Sequence, residues 1–399
     1  MIPRATEPPG HAPTLFACFL HFDVCFMLWV LIGALGPFVF DGTHVQAGLK
    51  GLLIGVPILT GSLLRVPLGM LSDRFGGRVV ALALLGFLFV PLSMAWLAPA
   101  GLATLLPVSI MLGTAGASFA VVLPLASRWY PAERQGLVMG IAAAGNSGTV
   151  LANIFAPRLA VWVGWQNVFG LALLPLALAL VLFLMLAREA PSGARARRSS
   201  DYLAAIAEPD AAWFCAYYCV TFGGYVGLSS FLPVFLHDQF GVAPVVAGSL
   251  TAAAAFGGSM SRPLGGYLAD RLGGVRMLQV LFFVIGVAYL LVAAAPDIRV
   301  AAGMVIGTMI ALGLGNGVVF QLVPQRFPRE IGIVTGLVGA AGGIGGFLLP
   351  TLMGTMKQTT GAFAPGFMLL AVCALGAAAV LRSRQMTAER WSDASLAAD

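Results

Sequence analysis

The sequence predicts an all-α integral membrane protein of twelve transmembrane helices, built as two pseudo-symmetric six-helix halves. Three observations carry that prediction. Of the 399 residues, 59% are hydrophobic and only 10% charged, and the mean hydropathy is +0.93, a balance that excludes a soluble core. Twelve apolar runs of about 20 residues, the length that crosses a bilayer, follow one another along the chain. Segments of the first half also recur in the second at a constant offset of 197, as from Arg65 to Arg262.

The runs fall at roughly 14–39, 47–71, 78–97, 101–127, 134–157 and 165–187, then at 211–236, 244–269, 276–294, 298–322, 332–355 and 362–382. The first follows a short polar start with no small-residue cleavage site, so it reads as a retained helix and not as a signal peptide. Between the sixth and seventh runs, residues 188–209 are charged, small and Pro-containing (Arg188-Glu-Ala-Pro-Ser-Gly-Ala-Arg-Ala-Arg-Arg). That stretch is expected to be a cytoplasmic linker between a half at 1–187 and a half at 210–399. Parallel six-helix repeats joined in this way place a substrate site between the halves near the midplane.

Basic residues set the orientation. With both termini cytoplasmic, that side holds Arg4, Arg74, Arg78, Arg128, Arg134, Arg188, Arg195, Arg197, Arg198, Arg271, Arg276, Arg326, Arg329, Arg382, Arg384 and Arg390. The opposite side holds only Lys50, Arg158, Arg299 and Lys357. Sixteen against four places the linker and termini inside. The basic balance is therefore a topological signal, and no nucleic-acid partner is expected. The five cysteines lie within runs and have no metal-ligand or CxxC spacing, so they read as small apolar packers with no disulfide. His11, His21, His44 and His237 are scattered towards helix ends or loops, and no cofactor or metal is expected.

Two basic residues remain. Arg65 precedes Asp73, at the cytoplasmic edge, by eight residues, and Arg262 stands in the same relation to Asp270. At 1.5 Å per residue each guanidinium lies about 12 Å deep, near the middle of a core roughly 30 Å thick. A charge at that depth needs a partner or a polar cavity. Snorkelling fails for distance, and Asp23 is the one carboxylate inside any of the runs. One acid cannot neutralise two symmetric arginines, so the pair is expected to bind an anion. The rigid donor fork of arginine suits planar or tetrahedral oxyanions held by two bonds. With one arginine from each half, the ligand would bridge the halves.

Glycine marks two further stretches. Gly336-Leu-Val-Gly-Ala-Ala-Gly-Gly-Ile-Gly-Gly-Phe-Leu-Leu-Pro350 has six glycines in fifteen residues, within an apolar run where only a helix satisfies the backbone. Missing side chains at Gly339, Gly342, Gly343 and Gly346 let a neighbouring helix or a small ligand approach. Met139-Gly-Ile-Ala-Ala-Ala-Gly-Asn-Ser-Gly148 is its weaker counterpart at the same offset. Asn146 within it needs a hydrogen-bond partner, either across helices or on an anion.

These residues carry family resemblances. Gly69-Met-Leu-Ser-Asp73-Arg74-Phe-Gly-Gly-Arg78, repeated around Asp270 and Arg271, resembles the G-x-L-x-D-R-x-G-R-R loop of the major facilitator superfamily. By that resemblance, Asp73, Arg74, Asp270 and Arg271 would staple helices in one gating state. The paired arginines of helices 2 and 8, with the glycine signatures of helices 5 and 11, make the whole chain resemble the nitrate/nitrite porters. The resemblance implies that Arg65 and Arg262 hold the anion and that aromatic rings from helices 4 and 7 flank it. The matching positions are Phe119 and Phe222, and Tyr218, one turn before Phe222, could add a hydroxyl. Gly343 and Asn146 complete the expected site, and Gln321 is a weaker candidate near the cytoplasmic end.

The function so implied is transport of nitrate, nitrite or both by alternating access, in a bacterial cytoplasmic membrane and as a monomer. Two guanidiniums about 8 Å apart repel by roughly 2 kcal/mol at an effective dielectric near 20, which favours nitrate/nitrite exchange by disfavouring closure of an empty site. Asp23, buried in helix 1, could instead carry a proton and favour proton-coupled uptake; its other reading is a structural partner for an arginine or for backbone donors. Formate, oxalate and cyanate remain alternative anions. A membrane receptor would need an output domain for which 399 residues leave no room, and no nucleophile–base arrangement or carboxylate pair at depth supports an enzyme.

Overall fold

A computed structural model describes residues 10–41, 45–99, 101–190, 208–327 and 331–396. Most of the expected linker, together with Arg4, Arg195, Arg197, Arg198, Arg329 and His44, lies outside the described residues. Within them the chain is helical, with no strand.

Each apolar run becomes a helix because lipid offers the backbone no other partner. In chain order these are α1 (Ala12–Trp29), α2 (Ala47–Phe75), α3 (Gly77–Leu97), α4 (Leu102–Ser127), α5 (Val138–Val163) and α6 (Trp165–Leu186). They continue as α7 (Pro209–Phe240), α8 (Pro244–Leu272), α9 (Gly274–Ala293), α10 (Ile298–Arg326), α11 (Ile331–Thr360) and α12 (Ala364–Leu396). Eleven of the described helices are long and apolar enough to cross a membrane. The twelfth, α8, is as long as α2 at 29 residues, but its Gly, Ala and Ser content makes it less apolar. Small residues there serve packing: a side chain on Gly265 would overlap the backbone of Leu314 in α10.

The sequence repeat has a backbone signature. Gly76 and Gly273, at the same offset of 197, close α2 and α8 with φ of 93° and 87°, a region open to glycine and strained for other residues. Their amides return to Ser72 and Ala269, each at 3.0 Å. Each thereby stops one helix and starts the next within a single residue.

Three expected helices are not continuous. The first run, 14–39, ends as a long helix at Trp29 and goes on as two short ones, Leu31–Ala34 and Gly36–Val39. A 3-10 turn at Gly113–Ala117 interrupts α4, and another at Ala144–Ser147 interrupts the α5 region. The tighter winding fits close contacts: a Cβ on Gly116 would overlap the Trp29 indole, and one on Gly148 would overlap the Asp23 carbonyl. Their repeat partners in α10 and α11 are unbroken.

Helix α11 runs along both α2 and α7. Gly345 meets the backbone of Cys219 in α7, while Gly354 meets the backbone of Ala47 and Gly51 in α2. At the end of the bundle opposite Gly76 and Gly273, polar contacts join α1–α6 to α7–α12. Lys50 pairs with Asp238 at 3.1 Å, and Gln358 accepts from the Gly48 amide at 3.0 Å. At the Gly76 end, the described ion pairs Arg128–Asp73 and Arg326–Asp210, both 2.6 Å, each join helices from within one six-helix set. Among the described residues, the ion pair that joins the two sets therefore lies at the Lys50 end.

Candidate functional site

Arg65 enters the centre of the bundle from α2 and is 3% exposed. Its Nε donates to the Gly116 carbonyl at 3.2 Å, in the interrupted turn of α4, and its Nη1 donates to the Gly339 carbonyl of α11. Gly339 permits this approach because a Cβ there would lie 3.3 Å from Nη1. Three rings surround the guanidinium carbon, Trp29 at 5.6 Å, Phe119 at 5.3 Å and Phe222 at 5.4 Å. Nη2 is buried and has no hydrogen-bond partner among the described residues.

Arg262 reaches the same region from α8. Its Nη2 donates to the Tyr218 hydroxyl at 3.2 Å, and the Phe320 ring lies 5.2 Å from its guanidinium carbon. Tyr218 stacks on Phe222 with centroids 5.0 Å apart and planes 2° from parallel. This stack links the two arginines, since Phe222 faces Arg65 while Tyr218 holds Arg262. Gly342 makes room for it: a Cβ there would overlap the Tyr218 ring and lie 3.1 Å from Phe222.

Neither arginine meets a carboxylate among the described residues. The ion pairs among the described residues are Lys50–Asp238, Arg128–Asp73 and Arg326–Asp210. Burying a cation without a counter-charge costs several kcal/mol, roughly, at membrane depth. Cation–π contacts at about 0.5–2 kcal/mol recover part of that, and a bound anion would supply the rest.

The remaining expected residues fall around this centre. Asn146 lies in the 3-10 turn of the α5 region, 4% exposed, with Oδ1 lacking a partner among the described residues. Its neighbour Ser147 donates to Asp23 Oδ1 at 2.5 Å, so Asp23 joins α1 to α5 and forms no ion pair among the described residues. Gly343 is placed against the Ser62 hydroxyl of α2. Its position is at the helix contact, and Gly339 is the glycine beside the guanidinium. The two lie on one face of α11, four residues or about one turn apart, so they meet successive turns of α2, Gly343 at Ser62 and Gly339 at Arg65.

The four loop residues divide by charge. Asp73 pairs with Arg128, joining α2 to α4, and Asp270 accepts from Gln321 at 2.8 Å, joining α8 to α10. Arg74 and Arg271 lie over Phe75 at 5.2 Å and Tyr267 at 4.5 Å. Gln321 therefore lies with the loop contacts, away from the arginine centre.

Three contributors escaped sequence reasoning. Phe320 contacts Arg262, Tyr218 (4.9 Å) and Phe119 (6.4 Å), bringing α4 and α10 together. It lies in an unbroken apolar run that singles out no ring. Trp29 is positioned by its Nε1 bond to the Pro57 carbonyl at 2.7 Å. The Gly116 carbonyl is oriented by a turn that apolar patterning does not reveal.

Residues 17–350 match the Major Facilitator Superfamily. The chain is 34% identical over 352 residues to the "Nitrite extrusion protein" of Bacillus subtilis (strain 168), covering 88% of each. It is 34% identical over 398 residues to the "Probable nitrate/nitrite transporter NarK2" of Mycobacterium tuberculosis, covering 96% of this chain and 99% of that one. It is 31% identical to the "Probable nitrate/nitrite antiporter NarK1" of Thermus thermophilus, covering 89% and 87%. Among solved structures, a bacterial homologue of the human lysosomal transporter Spinster, inward-facing and occupied, superposes with a TM-score of 0.72 at 21% identity, covering 94% of this chain and 96% of that one. That likeness concerns the fold.

Proposed function

The chain belongs to the Major Facilitator Superfamily and, within it, to the nitrate/nitrite porters, and from that premise we propose that it carries nitrate and nitrite between its paired arginines by alternating access. The observation that carries this reading is the Arg65 guanidinium: buried, faced by three aromatic rings and, among the described residues, without a carboxylate and with one nitrogen lacking a partner. A planar oxyanion accepts two parallel N–H bonds from such a fork. Arg262 and the Tyr218 hydroxyl supply donors from the other side, Phe119 and Phe222 bound the ligand, and Asn146 adds an amide. Gly343 serves through the helix contact that it permits.

In this reading residues 1–187 and 210–399 are the rocking halves, joined by the linker at 188–209. The basic residues place both termini on the cytoplasmic side. Asp73, Arg74, Asp270 and Arg271 act at the cytoplasmic gate, where the two acids hold α2 to α4 and α8 to α10. The Lys50–Asp238 end is then the closed extracytoplasmic face. The protein works as a monomer.

Competition binding on purified protein tests the substrate. Nitrate and nitrite are expected to displace one another, with formate, cyanate and oxalate at least about tenfold weaker, a gap of roughly 1.4 kcal/mol. Tighter binding of any of those three would reassign the carrier to another small anion.

Coupling rests on Asp23. Its bond to Ser147 lies next to Asn146, so gaining or losing a proton there would alter the α1–α5 contact beside the anion. We take the carrier to be a proton-coupled nitrate importer, with nitrate/nitrite exchange as the second reading. The absence of a carboxylate at either arginine supports exchange, because an empty site leaves two cations facing each other. Asp23→Asn in proteoliposomes is expected to abolish gradient-driven accumulation and to retain exchange. Gradient-driven uptake that survives the substitution would remove Asp23 as the proton carrier.

A further inference from the structure

On the flank of the bundle, a groove of about 720 Å³ opens between α9 and α12. Arg276 and Arg382 lie at its Gly273 end, and Gln279, Val280, Phe283 and Leu375 line it further along. The helices touch at Gly286, where a Cβ would lie 2.6 Å from Leu375, and leave the groove between that contact and the arginines. Val280 and Phe283 are 61% and 59% exposed, so the floor faces the bilayer. None of the ion pairs among the described residues uses Arg276 or Arg382.

The fold does not require this arrangement. At the repeat offset of 197, Val79 and Met185 stand where Arg276 and Arg382 stand, and Leu82 replaces Gln279. The nearby arginine of the first repeat, Arg78, is occupied by the carbonyls of Ala187 at 2.7 Å and Leu184 at 3.0 Å. Two cations without ion-pair partners among the described residues, beside a lipid-facing apolar trough, therefore occur at one of the two equivalent places.

We propose that the α9–α12 groove is a binding site for an anionic phospholipid. Arg276 and Arg382 take the phosphate, Gln279 bonds the glycerol region, and an acyl chain lies over Val280, Phe283 and Leu375. Basic pockets at the membrane surface select anionic headgroups, and arginine matches phosphate with parallel bonds. The apolar floor assigns the phosphate to a lipid, since a soluble anion gains nothing from it. This assignment needs the chain's place in a bilayer and is independent of which anion it transports.

The test uses the full chain in mixed phosphatidylglycerol/phosphatidylcholine nanodiscs, with retained lipid read by native mass spectrometry. The wild type is expected to enrich phosphatidylglycerol roughly tenfold, in line with two basic side chains near a membrane surface. Arg276→Ala with Arg382→Ala should return the ratio to that of the bulk lipid. Leu375→Trp, which fills the trough and keeps both arginines, should also reduce enrichment, and millimolar glycerol phosphate should displace nothing. Nitrate binding checks the fold of each variant, because neither arginine touches the anion site. Were the double variant not to fold, the wild-type ratio and Leu375→Trp decide the matter. No enrichment in the wild type, enrichment unchanged by the substitutions, or displacement by glycerol phosphate would overturn the proposal. So would a change of oligomeric state with the lipid ratio unaltered, which would assign the groove to a second copy.

Discussion

Arg65→Lys is expected to reduce nitrate transport about 100-fold or more, and Arg262→Lys by about tenfold. The difference follows from what each guanidinium holds. Arg65 spans α4 and α11 through the carbonyls of Gly116 and Gly339 and still has Nη2 to offer. An ammonium is a single centre and cannot occupy three separated positions. Loss of one to two charge-assisted bonds, at roughly 1.5–3 kcal/mol each, gives the larger figure. Arg262 has one such bond, to Tyr218, and lysine could keep either that bond or the anion. Equilibrium binding should fall with transport in both variants. Near-normal rate and affinity in both lysine variants would remove the clamp from the mechanism.

Gly343→Leu or Gly346→Leu is expected to stop transport in a protein that still inserts. A side chain at Gly343 would overlap Ser62 of α2, and one at Gly346 would overlap Val226 of α7 and lie 3.0 Å from Ile58 of α2. Either wedges α11 away from a neighbour along which it must move, and overpacking of even a few methylenes costs about 1–3 kcal/mol. Nitrate binding in a variant locked in one state should persist, because neither glycine is next to a guanidinium. Gly336→Ala supplies the contrast: a Cβ there meets nothing within 4 Å, and transport should stay within about twofold of wild type, as for an ordinary surface change. Loss of binding in Gly343→Leu with the fold intact would instead place that glycine in the anion site itself.

The parts of the fold that could be read from sequence are those that lipid dictates. Twelve apolar runs had to become helices, and each did, although the first breaks after Trp29 and α2, α5, α11 and α12 run past their apolar stretches to Phe75, Val163, Thr360 and Leu396. Arg65 and Arg262 stood out because an unneutralised charge at depth is costly whatever surrounds it. Phe222 and Tyr218 could be placed through their motif, and the structure stacks them between the arginines. What resisted reading depends on how neighbouring helices are set against one another, along their axes and around them. Gly343 and Gly339 look alike in the sequence, yet one meets Ser62 and the other Arg65. Phe320 is one ring among 26 phenylalanines, and only the angle of α10 aims it at Arg262. The 3-10 turn of α4 lies against α1 and α2, and that of α5 against α1, contacts between helices that no local pattern encodes.

Labelled nitrate uptake into proteoliposomes, with and without internal nitrite and with an imposed proton gradient, tests the central claim most directly. The account predicts saturable nitrate entry in the wild type, stimulated by an inward proton gradient and lost in Arg65→Lys. Entry driven by internal nitrite alone would retain the arginine site and assign the carrier to exchange. No nitrate flux under either condition, from protein that binds another small anion, would contradict the account.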